Sequence, residues 1–145
     1  MPVATVRIRV PFVDVDSSQR IHFTAMFRYM EVAEHELMRS IHMPYSTTLH
    51  GHAFPRVHLS CDFQGAVSYD DQLEVEARVA EVGRTSWTVG FTAYRYDGTA
   101  GWQQSDAAVV ARGKMTIVSM DPETERAVPL PEALRERLTQ DERAS

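Results

Sequence analysis

The feature that most limits the fold of this chain is one segment whose apolar residues have the spacing of a helix, whereas the segments around it alternate as strands do. Between residues 23 and 41, apolar side chains recur every three or four positions, which predicts one long amphipathic helix. We expect it to run from about residue 24 to 41, with Thr24 as N-cap and Pro44 closing the region. The apolar stripe is wide, so the helix is expected to be central and largely covered.

Around this helix, the sequence alternates apolar and polar residues with the period of half-buried strands. One such run, residues 6–12, precedes the helix. Four follow it, at 54–64, 73–79, 87–94 and 107–120, and a short tail helix is expected at about 131–141. Strands joined by short turns pair antiparallel. The order therefore predicts an α+β fold, in which a five-stranded antiparallel sheet wraps around one central helix.

Composition limits the classes of function. The 145 residues suit one domain, which we expect to span 1–145. The formal net charge of −5 argues against a nucleic-acid partner, because such proteins usually present a basic surface. The single cysteine, Cys61, excludes an internal disulfide. No apolar run is long enough for a leader or a membrane span, so a cytoplasmic protein without a membrane partner is expected.

Residues 12–23, FVDVDSSQRIHF, lie between the first strand and the helix. With the aromatic and acidic pattern of residues 27–31 and the turns at 68–73 and 83–86, this segment resembles the 4-hydroxybenzoyl-CoA thioesterase family of hotdog-fold proteins. The resemblance covers nearly the whole chain. It implies the hotdog fold and hydrolysis of an acyl-CoA or acyl-carrier-protein thioester, with coenzyme A as part of the substrate and no separate cofactor.

The resemblance also implies two catalytic groups. Asp16 falls on the family's catalytic carboxylate, and the backbone N–H of Phe23 on the donor that polarises the thioester carbonyl. A carboxylate can activate water or attack directly, and a helix N-terminus offers unbonded N–H groups. From spacing alone, Asp16 could instead be a loop or cap residue. His22 is a candidate proton shuttle, with packing at the helix entrance as the alternative.

Four residues depart from the family pattern. Ala25 and Met26 stand where members often have Asn-Tyr. Gln19 stands where many members have glycine, which predicts a differently shaped loop. Arg20 stands where an apolar residue is common, so it could reach the pocket and bind an acyl carboxylate or a phosphate, or point to solvent. Arg84, in a turn between strands, is the candidate for the phosphates of coenzyme A. The candidate acyl-pocket residues, each of which could equally be core, are Met26, Tyr29, Met30, Phe54 and Val57.

Several alternatives remain open at this stage. The chain could be a hotdog hydratase or dehydratase acting on acyl thioesters, or a non-catalytic module that binds acyl-CoA. All six histidines lie in the first half, but His50, His52 and His58 have only loosely plausible ligand spacing, so no metal is predicted. Because a small sheet has exposed edges, a homodimer is expected, with a homotetramer built from two dimers also open.

Overall fold

The computed structural model describes residues 1–46, 50–96 and 108–140. Its elements follow the predicted order of one strand, a long helix, four strands and a short helix. In chain order they are β1 (Val3–Arg9), α1 (Phe23–Ser40), β2 (Arg56–Phe63), β3 (Gln72–Val82), β4 (Ser86–Arg95), β5 (Val109–Val118) and α2 (Glu132–Leu138).

All five strands form one antiparallel sheet in the order β1-β3-β4-β5-β2, so β1 and β2 are its edges. Helix α1 packs against β1 and β3. Its buried face supplies much of the core, together with the alternating inward side chains of β3 and β4. The predicted α+β hotdog architecture is confirmed. None of the described helices is both long enough and apolar enough to cross a membrane.

The bounds of every element differ from the sequence prediction by one or more residues, and residue 107, the predicted start of the last strand, lies outside the described residues. Three of the differences are as follows. Strand β1 ends at Arg9 rather than near residue 12, because Pro11 cannot donate to a strand ladder and residues 12–14 form a 3-10 turn. Helix α1 begins one residue early, and its N-cap is His22, whose Nδ1 accepts the Thr24 N–H at 3.3 Å. The prediction of Thr24 as the cap was wrong. Helix α2 ends at Leu138, and residue 141 lies outside the described residues.

The sheet has two ends that matter for the site. We call the end where β1 finishes and β3 begins the loop end, and the opposite end the tail end. The N-terminus of α1 lies at the loop end, since the Ile21 N–H donates to the Val67 carbonyl, and Val67 precedes β3. The β3–β4 turn and α2 lie at the tail end, joined where Arg135 Nη2 donates to the Gly83 and Arg84 carbonyls.

Strand β5 passes close to both β2 and helix α1 at Gly113. A Cβ at this position would lie 2.5 Å from the Ser60 carbonyl oxygen and 2.7 Å from Met30 Cε. The flexible tip of Met30 could move, but the Ser60 oxygen belongs to the backbone of β2 and could not. Position 113 therefore needs glycine for space.

Candidate active site

Asp16 lies on a miniature hairpin between β1 and α1. Val15 and Ile21 form an antiparallel bridge, the Asp16 N–H donates to the Arg20 carbonyl at 3.0 Å, and the Gln19 N–H donates to the Asp16 carbonyl at 3.0 Å. The turn places Gln19 at φ 71°, the left-handed region that glycine favours. Gln19 thus has a backbone conformation that glycine favours; the expected difference in loop shape from other family members stays a prediction.

The Asp16 carboxylate is oriented by Ser18. Its Oδ1 accepts the Ser18 Oγ–H at 2.5 Å and the Ser18 N–H at 2.8 Å. These two hydrogen bonds, the side-chain one first, hold the pKa of Asp16 below its usual range. The side chain is exposed, and no described residue bonds to Oδ2. Asp16 is therefore an ionised carboxylate with one oxygen available.

The start of α1 lies next along the chain. The His22 N–H donates to the Asp14 carbonyl at 2.8 Å, and the Ala25 N–H donates to the His22 carbonyl at 2.9 Å. Between them, the Phe23 N–H has no acceptor among the described residues. His22 Nδ1 serves as the helix cap and also lies 2.7 Å from Thr24 Oγ1. This arrangement leaves an N–H of the first helical residue unbonded, at the positive end of the helix dipole.

Asp14 is buried behind the hairpin and holds it against α1. Its carboxylate, only 4 % exposed, accepts a hydrogen bond from Arg28 Nη2 and another from Tyr29 Oη at 2.7 Å. Burial alone would raise the pKa of Asp14, but the bonds from Arg28 and Tyr29 outweigh it and lower the pKa. Asp14 therefore buttresses the hairpin against α1. The Tyr29 hydroxyl, assigned to the acyl pocket, bonds to Asp14.

A pocket of about 320 Å³ opens beside the start of α1. Arg20 and Phe23 line it together with residues of the loop end of the sheet: Ile21, Phe63, Gly65, Ala66 and Val67. Apart from Arg20, these side chains are apolar, and the Arg20 guanidinium has no hydrogen-bond or ion-pair partner among the described residues. The structure thus brings two sequence-predicted site residues to one apolar pocket.

The other predicted pocket residues lie elsewhere in the protomer. Met26 and Met30 are fully buried in the core, with the tip of Met30 against Gly113. Phe54 packs on Trp87 near the tail end, and Val57 is exposed on the edge strand β2. The roles of these residues as acyl-pocket residues stay predictions.

Arg84 also lies at the tail end, in the turn after β3. The eleven residues of β3 span roughly 33 Å, which separates this turn from the Asp16 hairpin within one protomer. The Arg84 carbonyl accepts N–H groups from Leu130 and Arg135, so the backbone of this turn is held by the tail segment. A role for Arg84 at the same pocket would therefore need a second protomer.

One buried network was missed by the sequence analysis. Glu34 in α1 is fully buried, and both carboxylate oxygens lie 2.7 Å from Arg56 Nη2, while Tyr45 Oη donates to Oε2 at 2.7 Å. The Arg56 guanidinium also lies 5.3 Å from the centre of the Tyr45 ring. The signal was present, because Glu34 is flanked at helical spacing by Met30 and Leu37, so it falls on the apolar stripe.

The histidines and the cysteine provide no second site. No group of three or more His, Cys, Asp or Glu side chains that could hold a metal ion occurs in the described part of the chain. Burial, with a smaller contribution from Asp62, raises the pKa of the Cys61 thiol to about 11. Such a thiol is protonated at neutral pH and is a poor nucleophile.

Comparison with known proteins identifies the family. The family model described as "Thioesterase superfamily" matches residues 19–101, more than half of the chain. An Aquifex aeolicus (strain VF5) protein named "Putative esterase" is 30% identical over 113 residues, covering 77% of this chain and 88% of that protein. This chain therefore belongs to the thioesterase superfamily and is a thioester hydrolase, as the sequence resemblance indicated.

Solved structures agree with the fold. The 1,4-dihydroxy-2-naphthoyl-CoA thioesterase of Synechocystis superposes with a TM-score of 0.80 at 19% identity, covering 94% of this chain and 95% of that one. A variant of 4-hydroxybenzoyl-CoA thioesterase, in complex with 4-hydroxybenzoyl-CoA, gives 0.82 at 21%, covering 96% and 100%. Asp16 precedes the family-matched residues, so its assignment depends on the local geometry and the motif.

Proposed function

We propose that this protein hydrolyses acyl-CoA thioesters, with the Asp16 carboxylate as general base or nucleophile and the Phe23 N–H as oxyanion donor. The observation that carries the proposal is the pairing of an ionised carboxylate having an available oxygen with an unbonded N–H at the helix start. The two residues are seven apart in sequence: Asp16 lies in the hairpin that Ile21 closes, and Phe23 follows the cap residue His22. Phe23 lines the apolar pocket.

The reaction requires little beyond these groups. A thioester carbonyl is electrophilic and a thiolate is a good leaving group. The Phe23 N–H would stabilise the negative oxygen of the tetrahedral intermediate. As general base, Asp16 Oδ2 takes a proton from water while the oxygen attacks the carbonyl carbon; the intermediate then expels the thiolate, which takes up a proton. As nucleophile, Oδ2 attacks the carbonyl carbon, the C–S bond breaks and the thiolate leaves, and water then cleaves the resulting anhydride to the free acid and the regenerated Asp16 carboxylate. Neither route calls for a separate cofactor.

The first experiment removes the carboxylate. Thiol release from a panel of acyl-CoA and acyl-carrier-protein thioesters is measured for the wild type, Asp16→Asn and Asp16→Ala, with Glu123→Gln, an exposed carboxylate on a distant turn, as control. We expect both Asp16 variants to lose on the order of 10²–10⁴ in kcat, and the control to be unchanged. If Asp16→Ala hydrolyses thioesters at the wild-type rate, Asp16 is not a catalytic residue.

The second experiment removes the oxyanion donor without removing the helix. Proline is well accepted at the first helical position, and His22, at φ −61° and ψ 140°, already has the extended conformation that precedes proline. Phe23→Pro deletes the N–H, while Phe23→Ala removes the ring and keeps the N–H. We expect Phe23→Pro to be about 10²–10³-fold slower in kcat than Phe23→Ala. Equal rates would exclude this donor.

The same assays separate the other two activities. Loss of crotonyl-CoA absorbance without thiol release would indicate a hydratase. Binding of an acyl-CoA with no reaction of any panel member would indicate a binding module. The family assignment favours hydrolysis over both.

We further propose a homodimer formed through the edge strand β2. Val57, Leu59 and Phe63 are exposed large apolar side chains on this strand, and no strand among the described residues pairs with its outer side. Such an edge favours pairing with another strand. Antiparallel pairing of two β2 strands would set the partner's tail end beside the pocket that contains Phe63. It would thereby bring the partner's Val57 toward the pocket.

The dimer is tested by light scattering. Leu59→Glu should lower the measured mass from that of a dimer to that of a monomer, because a charge on the paired edge opposes association. Val13→Glu, an equally drastic change at an exposed residue away from β2, should leave the mass unchanged. A monomeric wild type would refute the dimer, and a mass twice that of the dimer would indicate pairing of two dimers.

A further inference from the structure

The pocket contains a single charged side chain. Arg20 is the one cationic side chain among the described lining residues, and its guanidinium has no hydrogen-bond or ion-pair partner there. Several other arginines, by contrast, bond to carboxylates, as Arg28 does to Asp14 and Arg56 to Glu34. The nearest catalytic carboxylate, on Asp16, bonds to Ser18 instead. Arg20 is thus an unneutralised cation in an otherwise apolar pocket.

We propose, resting on the function proposed above, that the preferred substrates are acyl thioesters whose acyl group carries a carboxylate, and that Arg20 binds that carboxylate. The guanidinium presents a planar pair of N–H donors that matches a carboxylate. The apolar walls, with the rings of Phe23 and Phe63 partly exposed, would contact the carbon part of the acyl group. The pocket of about 320 Å³ has room for a short or medium acyl group.

The position of Arg20 along the chain favours the acyl group over the phosphates of coenzyme A. Arg20 lies three residues before Phe23, so their Cα atoms are at most about 11 Å apart. The Phe23 N–H marks where the reacting carbonyl is proposed to lie. In coenzyme A, the full pantetheine arm separates the thioester sulfur from the nearest phosphate. A cation this close to the carbonyl is better placed for a group on the acyl side.

The test compares acyl groups of similar length, one ending in a carboxylate and the other in an alkyl group. The pairs are 4-carboxybenzoyl-CoA with 4-methylbenzoyl-CoA, and adipoyl-CoA with heptanoyl-CoA. The measured quantity is the ratio of kcat/KM for the carboxylated over the uncharged member. We expect the wild type to favour the carboxylated member, and Arg20→Gln to reduce the ratio by about 10- to 100-fold. Arg20→Lys, which keeps the charge without the planar donor pair, should fall between them.

A matched control is Arg7→Gln, which neutralises an exposed arginine on β1, the sheet edge opposite β2, and should leave the ratio at the wild-type value. A second arm repeats the measurement with pantetheine thioesters, which lack the nucleotide phosphates. If the effect of Arg20→Gln disappears in that arm, the residue binds coenzyme A phosphate and the proposal is overturned. An equal loss for both members of each pair, or a wild-type preference for the uncharged member, also overturns it.

A binding measurement distinguishes failure of the proposed hydrolysis from failure of the proposed carboxylate recognition. Calorimetry with thioether analogues of the same acyl-CoA pairs, which cannot be hydrolysed, reports recognition without chemistry. Tighter binding of the carboxylated analogue, lost in Arg20→Gln, supports the proposal even if no thioester in the panel is cleaved. In that case only the proposed hydrolysis fails. Equal binding of both analogues by the wild type overturns the proposal.

Discussion

Replacing Tyr29 by phenylalanine isolates one hydrogen bond of the network that supports the site. The hydroxyl donates to Asp14 Oδ2 at 2.7 Å, both residues are 4 % exposed, and the ring stays in place in Tyr29→Phe. Hydrogen bonds to charged groups contribute about 1.5–3 kcal/mol. With an unfolding entropy of about 2.1 cal/mol/K per residue, 145 residues give about 0.3 kcal/mol/K, so the melting temperature should fall by about 5–10 °C.

Urea unfolding followed by circular dichroism gives the free energy of unfolding, and a thermal scan gives the melting temperature. Tyr69→Phe is the matched control, because Tyr69 is 54 % exposed and packs its ring edge-to-face with Phe12. The control should change stability by less than about 0.5 kcal/mol. The reasoning fails if Tyr29→Phe is no more destabilising than Tyr69→Phe, since the buried bond would then contribute nothing.

The cost of Tyr29→Phe should also depend on pH. The folded-state pKa of Asp14 is lowered, so its network stabilises the protein above the unfolded pKa near 3.8 and is lost as the pH falls through the folded value. The stability difference between wild type and Tyr29→Phe should therefore be largest near neutral pH and shrink in acid. A difference that grows on acidification would contradict the assignment of the ionised form of Asp14 as the acceptor.

Three further predictions concern other contacts. Arg56→Met should lower the free energy of unfolding in urea by about 3–5 kcal/mol, because it leaves the buried Glu34 charge without its cation. Adding Glu34→Gln should recover part of this loss. If the effects of the two substitutions on the free energy of unfolding simply add, the prediction is wrong. Gln19→Val should lower the melting temperature and Gln19→Gly should not, because position 19 has φ 71°, which glycine adopts easily and a β-branched residue does not. If Gln19→Gly melts at a lower temperature than Gln19→Val, backbone strain at this position is excluded. Because the Ser18 hydrogen bonds lower the pKa of Asp16, kcat should stay constant on acidification until the pH falls below the usual aspartate range. Ser18→Ala should shift this fall in kcat to higher pH. If the fall does not shift, Asp16 is not the titrating group.

The sequence was sufficient for the architecture because its patterns are long. The single helical run and the alternating strands extend over many residues, so small errors at each end do not change the element order. The ends themselves depend on a few local bonds. Thr24 and His22 could both cap a helix by composition, and only the folded backbone brings the Thr24 N–H to His22 Nδ1.

The site was harder to predict because its contacts join residues far apart in sequence. Asp14 and Asp16 are similar in sequence context, yet one is buried against Tyr29 and the other is exposed beside Ser18. The alternation of the strand does not distinguish them, since a 3-10 turn intervenes. Similarly, Phe54 was grouped with the acyl pocket by resemblance, but within the protomer it packs on Trp87 toward the tail end.

The miniature hairpin also limits how this site could diversify during evolution. Backbone hydrogen bonds hold this hairpin at its present length. Val15 and Ile21 form a bridge, and Asp16 bonds to both Gln19 and Arg20. Inserting one residue there would shift the pairing and turn alternate side chains to the opposite face. The side chains of Asp16 and Arg20 would then have different positions relative to the start of α1. If Arg20 binds the acyl group as proposed, substitutions at position 20 would change substrate preference without moving Asp16, whereas changes in loop length would displace the Asp16 carboxylate.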